Sequence, residues 1–447
     1  MKQTDTKKLT LFALTWPIFI EILLHMLMGN ADTLMLSQYS DHSVAAVGVS
    51  NQVLSVVIVM FGFVAAGASI LVAQNLGAEK DKDAAEIAVT SISLNLVFSA
   101  IISLVLFLFS DAILRLMDLP SELMDEASVY MNVVGGFMFV QALIMTVSAI
   151  LRSYGFTKDT MYVTIGMNII NVIGNYLFIF GPFGVPVLGV EGVAYSTMAS
   201  RFIGFIILTF ILIKRSNKML PFQSFYRYQK RHVVDLLKIG VPSAGEQLSY
   251  NTSQMVITYF VAQLGTIAIT TKVYVQNIMM FILLFSIAIG QGTQILIGHM
   301  IGAGDIDSAY KRCIKSLKIS IIISTLTAIV VYLSSGPLLS IFTNDLSIIE
   351  QGAFLLLVTV ILEPGRAFNL VVINCLRATG DVKFPVFIGI ISMWGVSVTF
   401  AWFFGIFLGL GLVGIWIGFI ADEWLRGILM LRRWRSKVWV KKAFVRS

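Results

Sequence analysis

Long apolar runs, separated by short clusters of charged and turn-forming residues, divide the chain into twelve segments at 9–37, 44–76, 84–110, 122–151, 160–181, 187–213, 234–262, 266–301, 309–334, 344–376, 384–406 and 410–431. Each is long enough for a helix to cross a bilayer, which takes about 20 residues. The pattern predicts an all-α polytopic membrane protein of twelve transmembrane helices. The basic opening stretch resembles the start of a signal peptide. The segment behind it is too long for a signal core and lacks a small-residue cleavage site, so it is expected to remain as the first span.

The same residues recur at a fixed distance. At an offset of 225, Pro17 meets Pro242, Glu21 meets Glu246, Gly67 meets Gly292, Gly77-Ala78 meets Gly302-Ala303, and Leu151-Arg-Ser-Tyr-Gly155 meets Leu376-Arg-Ala-Thr-Gly380. One offset serving separated motifs is the mark of a duplication. Six helices lie in each copy, so both copies have the same orientation. They are expected to form two six-helix bundles with a central cavity between the lobes. The expected division is an N-terminal lobe at 1–213, a cytoplasmic linker at 214–233 and a C-terminal lobe at 234–447.

Composition agrees with burial in lipid: 57% of the 447 residues are hydrophobic and 13% charged, too apolar for a soluble core of this size. Of the 32 Lys and Arg, 28 fall on alternate loops and the two ends, three lie inside spans, and one, Arg115, lies on the opposite side. Basic residues are retained in the cytoplasm, so both termini are expected there, in a plasma or inner membrane. The net charge of +7 then serves an anionic lipid surface and not nucleic acid. Cys313 and Cys375 lie 62 positions apart with no nearby cysteine or histidine, which suggests neither a disulfide framework nor a metal site.

Ionisable groups inside a span are costly and need a partner, a watery cavity or a function. On the first span Glu21, His25 and Asp32 form one stripe, within about 40° of each other on a helix. Glu21 and His25 are spaced to satisfy each other; Asp32 has no base on its own turn and reads as a titrating carboxylate. Pro17 and Gly29-Asn30 are expected to weaken the helix around them. The fifth span carries Asn168, Asn171 and Asn175 on one edge, and the sixth Ser196, Thr197 and Arg201. They suit the surroundings of Asp32; interhelical hydrogen bonding alone also accounts for them. A secondary polar set comprises Glu21, His25, Glu246, Glu363, Arg366 and Asn369. Glu363 and Arg366 are spaced to pair, and Pro364-Gly365 is expected to break the helix beside them. Asp422 and Glu423 are placed to balance Arg426.

Twenty methionines are far above ordinary usage. Met28, Met35, Met60, Met145, Met167 and Met198 are expected among the lining of the cavity, where thioethers tolerate ligands of many shapes. Hydrolase, nucleotide-binding and zinc-protease motifs are absent from the sequence, so neither catalysis, a metal nor a cofactor is expected.

These residues resemble the multidrug and toxic compound extrusion (MATE) family, and within it the DinF-like branch. The resemblance spans the chain and rests on Pro17 with Asn-Ala-Asp32-Thr, Gly-Ala-Gly-Asp305, Glu-Pro-Gly-Arg-Ala-Phe-Asn369 and Leu-Arg-Ala-Thr-Gly-Asp381. It implies secondary active export of cationic, often aromatic drugs or dyes by a monomer in exchange for protons or sodium. It also implies that Asp32 couples the ion and that Asn171, Asn175 and Thr197 complete a cation site, with Glu246 resembling an acid of sodium-coupled relatives. The chain departs from the family where many members carry aspartate in place of Asn175 and some in place of Arg366. A bare sodium ion wants several oxygens with negative charge nearby, so the departures favour protons over sodium. The rival reading, a lipid-linked oligosaccharide flippase, requires a basic cavity, which Lys272, Arg366 and Arg201 would have to provide against Glu21, Asp32, Glu246 and Glu363.

Overall fold

The computed structural model describes residues 9–216, 220–221 and 229–445. Half of the expected linker lies outside the described residues, as do the basic residues at the start of the chain. Among the described residues the secondary structure is helical and contains no strand. The first half runs through α1 (Leu11–Ser37), α2 (Asp41–Gly77), α3 (Asp81–Leu108), α4 (Ser110–Leu116), α5 (Ser121–Tyr130), α6 (Met138–Ser153), α7 (Thr157–Phe180) and α8 (Gly189–Arg215). The second runs through α9 (Lys230–Gln263), α10 (Thr266–Gly302), α11 (Ile306–Leu333), α12 (Ser335–Ser340), α13 (Leu346–Ala378), α14 (Lys383–Ser392) and α15 (Gly411–Arg435). A π-helical turn at Met131–Gly135 leads from α5 toward α6, and two more, Met393–Val398 and Ala401–Phe407, prolong α14.

Helices occupy all twelve expected spans. Nine are long and apolar enough to cross a membrane, and the stretch from α5 to α6, bent by 41°, is a tenth. The remaining two, α9 and α15, have the length but are too polar or too charged to meet the same test. The first carries Lys230, Arg231, Asp235, Lys238 and Glu246, and the second Asp422, Glu423, Arg426 and three terminal arginines.

The duplication is visible in the element boundaries. Adding 225 to the limits of α2, of α3 and of the stretch 121–153 gives the limits of α10, α11 and α13. The turns repeat as well. Gly155 and Gly380 follow equivalent helices with φ of +88° and +94°. After α10 the chain turns through Gly304 at φ +74°, and the equivalent position after α2 is Glu79 at +58°, a left-handed conformation that a side chain adopts only at a cost.

Pro364 does not break its helix. The proline removes one amide, yet α13 continues from Leu346 to Ala378. Glu363, Pro364 and Gly365 are buried, and the Trp424 indole N–H donates to Ile361 O at 3.0 Å within the turn that the proline disturbs. Packing holds the helix where the local sequence would open it. The break falls instead in the first half, at the π-turn before Gly136.

The chain forms two compact units. One takes residues 16–76 and 80–240, the other 10–15, 77–79 and 241 onward, so the change falls within α9. In the first, small residues on α7 and α8 allow close approach. A Cβ on Gly174 would lie 2.2 Å from Ser196 Oγ, and one on Gly204 would lie 2.2 Å from Met167 Sδ. In the second, Cys313, Phe368, Cys375, Met430, Trp434 and Trp439 share one buried cluster, and Ile257, Leu355, Ala401 and Trp416 another. Here Gly414 faces the backbone of Phe404 and Gly405 within 2.5 Å of where its Cβ would stand.

Gly414→Ala should therefore destabilise the protein by about 1–3 kcal/mol despite the higher helix propensity of alanine, because rigid backbone must move. Gly48→Ala, where nothing lies within 4 Å, should be neutral or mildly stabilising. Thermal unfolding of both variants in one detergent checks this; equal midpoints would refute the packing argument.

Candidate functional site

In the first unit α1 brings Asp32 against α7. Asn171 and Asn175 stand one turn apart on the same face of α7, and both are fully buried. Asn175 Nδ2 donates to Asp32 Oδ1 at 2.5 Å and reaches Asn171 Oδ1 at 3.4 Å. Asn171 Nδ2 donates in turn to Thr197 Oγ1 at 3.1 Å. The close approach at Gly174 lets Ser196 Oγ donate to Asn171 O at 2.8 Å, which fixes α8 against α7. The four residues expected at a cation site thus form one hydrogen-bonded chain.

The environment of that chain is mostly neutral. Asp32 is 6% exposed and, among the described residues, has no cationic group within ion-pair distance. Asn175 Oδ1 is buried without a hydrogen-bond donor among them. A carboxylate beside an unused acceptor is a place for a proton, since the protonated acid gains an O–H to donate. Two further groups lie within electrostatic reach of Asp32: Tyr130, whose hydroxyl donates to Asn51 Oδ1 at 3.3 Å, and Arg201. The Arg201 guanidinium reaches Met138 Sδ at 3.8 Å through Nη1, and its Nε is buried without an acceptor among the described residues. The sequence placed Arg201 among the groups suited to surround Asp32; Tyr130 was not singled out at all.

Glu21 belongs to a different arrangement. Its Oε1 accepts from Arg152 at 2.9 Å and its Oε2 from Thr160 Oγ1 at 3.0 Å. The expected Glu21–His25 pair is not formed. The fixed guanidinium of α6 supplies a stronger, charge-assisted partner than an imidazole one turn away. His25 is half-buried nearby, within electrostatic reach of Glu21, Arg152 and Arg201. In the second unit Glu246 accepts from Arg377 at 2.5 Å. Both pairs span 131 residues, and 225 relates each member to its counterpart. The signal was present in the sequence: the two recurring motifs, Pro-x-x-x-Glu and Leu-Arg-x-x-Gly, hold the two ends of the same ion pair.

The remaining secondary residues gather around α13 and α15. Glu363 accepts from Arg366 at 2.7 Å, as the spacing implied. Arg366 Nε lies 3.6 Å from Glu423, which also accepts from Asn369 at 2.8 Å. Arg426 pairs with Asp422 at 2.7 Å and with Glu423 at 3.2 Å, and Ser392 donates to Asp422 at 2.6 Å. Glu246 is held separately by Arg377. Asp422 and Glu423 thus do more than balance Arg426: they join Glu363, Arg366 and Asn369 into one network. Among the described residues no three His, Cys, Asp or Glu side chains are grouped as a metal site. Of the six methionines, Met28, Met167 and Met198 are buried and Met35, Met60 and Met145 partly so. Met145 packs near Gly62 and Met167 against Gly204.

A family model, MatE, matches residues 17–177 and again 242–403, two copies that start 225 apart. The chain is 56% identical to the uncharacterized transporter YisQ of Bacillus subtilis over 99% of its own length and 97% of that protein's. It is 30% identical to a probable multidrug resistance protein NorM of Thermotoga maritima, over 97% and 93%. Its fold matches an outward-facing multidrug resistance MATE family transporter of the MOP superfamily with a TM-score of 0.88 at 21% identity, over 97% and 96% of the two chains.

Arg152→Ala would leave the Glu21 carboxylate buried without its counter-charge. A loss of about 2–4 kcal/mol is expected, at the lower side of what breaking a buried pair costs because Arg152 is 19% exposed. The double variant Glu21→Gln/Arg152→Gln should recover most of it. Thermal unfolding of single and double variants measures the difference; no recovery in the double variant would show that the charge is not what matters.

Proposed function

Since the chain belongs to the MatE family of multidrug efflux transporters, we propose that it exports hydrophobic organic cations across the plasma membrane in exchange for protons, by alternating access. The observation that carries this reading is the contrast among buried acids. Glu21, Glu246, Glu363 and Asp422 each pair with an arginine. Asp32 instead rests on the amide of Asn175. A carboxylate held by an amide is free to change its proton, whereas one held by a guanidinium is not.

In this reading ionised Asp32 supplies the negative charge that makes entry of a cation into an apolar protein favourable. Proton uptake from outside removes that charge and converts the carboxylate into a donor, and the organic cation leaves. Pro17 and Gly29 lie on the same helix, and the space around Gly29 is open. Helix α1 thus has a place to yield when its hydrogen bonds change. The proton is favoured over sodium because the ligands beside Asp32 are neutral amides and a hydroxyl. Arg201 already places a positive charge within electrostatic reach. A metal ion there would find one carboxylate; a proton needs only one. A polyanionic lipid precursor finds no matching excess of bases, since both arginines of the α13–α15 network are engaged by three acids. Cytoplasmic termini and a monomeric transporter belong to the same proposal.

Reconstituted protein should move ethidium toward the acidic side of a vesicle membrane. Asp32→Asn should reach the membrane, bind lipid normally and lose gradient-driven export to background; Glu21→Gln should keep more of it. Wild-type export by the Asp32→Asn variant would overturn the assignment. Transport that follows a sodium gradient at fixed pH would replace the proton with sodium.

A further inference from the structure

Helices α7 and α8 pack closely at Gly174 and again where Met167 meets Gly204, and beside this second contact, toward the start of α7 and the end of α8, their outer side is left uncovered. A groove of about 310 Å³ opens there, lined by Tyr162, Gly166, Ile170, Ile203, Ile207 and Ile211, with Asp159 at one end. The α7 residues recur at three- and four-residue spacing, so they form one continuous stripe. From Asp159 to Ile170 the stripe rises about 16 Å, half the hydrocarbon thickness of a bilayer. Tyr162 and Ile207 are exposed. The groove is therefore apolar, open sideways and one leaflet deep.

The Asp159 end is charged. Arg215 pairs with Asp159, through Nη2 at 2.9 Å and Nε at 3.0 Å, and lies over the Phe156 ring at 4.7 Å. That pair is neutral overall. Beside it Lys158 and Lys214 are exposed and engaged in no ion pair among the described residues. Tyr162 stands one turn deeper, where an aromatic ring with a polar tip suits the depth of lipid head groups. An apolar channel one leaflet long, with two exposed lysines beside the neutral Asp159–Arg215 pair at its end, matches one kind of molecule: an amphiphile with an acyl tail and an anionic phosphate head.

We infer that the α7–α8 groove is a binding site for an anionic phospholipid, one acyl chain lying along Gly166, Ile170 and Ile207 and the phosphate meeting Lys158 and Lys214. Gly166 provides the floor. No atom lies within 4 Å of where its Cβ would be, so this position of α7 is left empty by the protein itself. Placement in the inner leaflet rests on the proposed topology; the binding does not.

The test uses full-length protein in nanodiscs of phosphatidylcholine doped with photoreactive phosphatidylglycerol or photoreactive phosphatidylcholine, each with a diazirine on one acyl chain. Cross-linked peptides are mapped by mass spectrometry. Peptides covering 159–170 and 203–211 should be labelled several-fold more by the anionic lipid. Filling the groove with Gly166→Phe, or independently with Ile207→Trp, should cut that labelling several-fold and leave the lipid-facing 97–108 stretch of α3 unchanged. Lys158→Gln/Lys214→Gln should keep the labelling but abolish the preference for the anionic lipid. The inference is overturned if the groove is labelled no more than 97–108, if both lipids label it equally in the wild type, or if both filling variants leave labelling intact. Because labelling does not require transport, a failure of the export proposal would leave this result readable.

Discussion

The structure depends on one constraint: an ionised side chain placed at membrane depth must be neutralised there. The chain meets it with arginine. Glu21 has Arg152, Glu246 has Arg377, and Glu363, Asp422 and Glu423 share Arg366 and Arg426. Breaking such a pair leaves a buried charge, so these contacts hold helices in place whatever the solution around the protein. Asp32 meets the same constraint differently, through an amide, and so through the option of carrying a proton. In the proposed mechanism this contrast separates scaffold from machinery within one class of residue.

Duplication gave both units the same scaffold, and the positions around Asp32 show where they diverged. The Glu–Arg pair survives in both. Asp32 itself answers to Ile257. Ile257 is fully buried in the core of the second unit. At the position equivalent to Asp32 the second unit places hydrocarbon, and its buried acids lie in ion pairs. Only the first unit keeps a buried carboxylate without a guanidinium partner within ion-pair distance among the described residues.

Much of this was legible from the sequence because bilayer thickness and the 225-residue offset act on the chain itself. Apolar length located all twelve spans, and the isolation of Asp32 on its turn marked it as distinct. What was not legible depended on helices meeting. His25 seemed the natural mate of Glu21 because it is one turn away; the true mate lies on α6, and only packing brings it near. Pro364 seemed a break because local rules say so, and burial of its surroundings overrode them. Tyr130 had no signal at all, since nothing in its own stretch refers to α1.

The central claim is that Asp32 exchanges a proton for a drug. Its most direct test is calorimetric titration of the purified protein with tetraphenylphosphonium in buffers of different ionisation enthalpy at the same pH, which counts protons released on binding. Near the pH at which Asp32 is half protonated, the wild type should release protons as the cation binds, and the Asp32→Asn variant should release none. Heat of binding that is independent of the buffer across the pH range, or proton release undiminished in Asp32→Asn, would contradict the account.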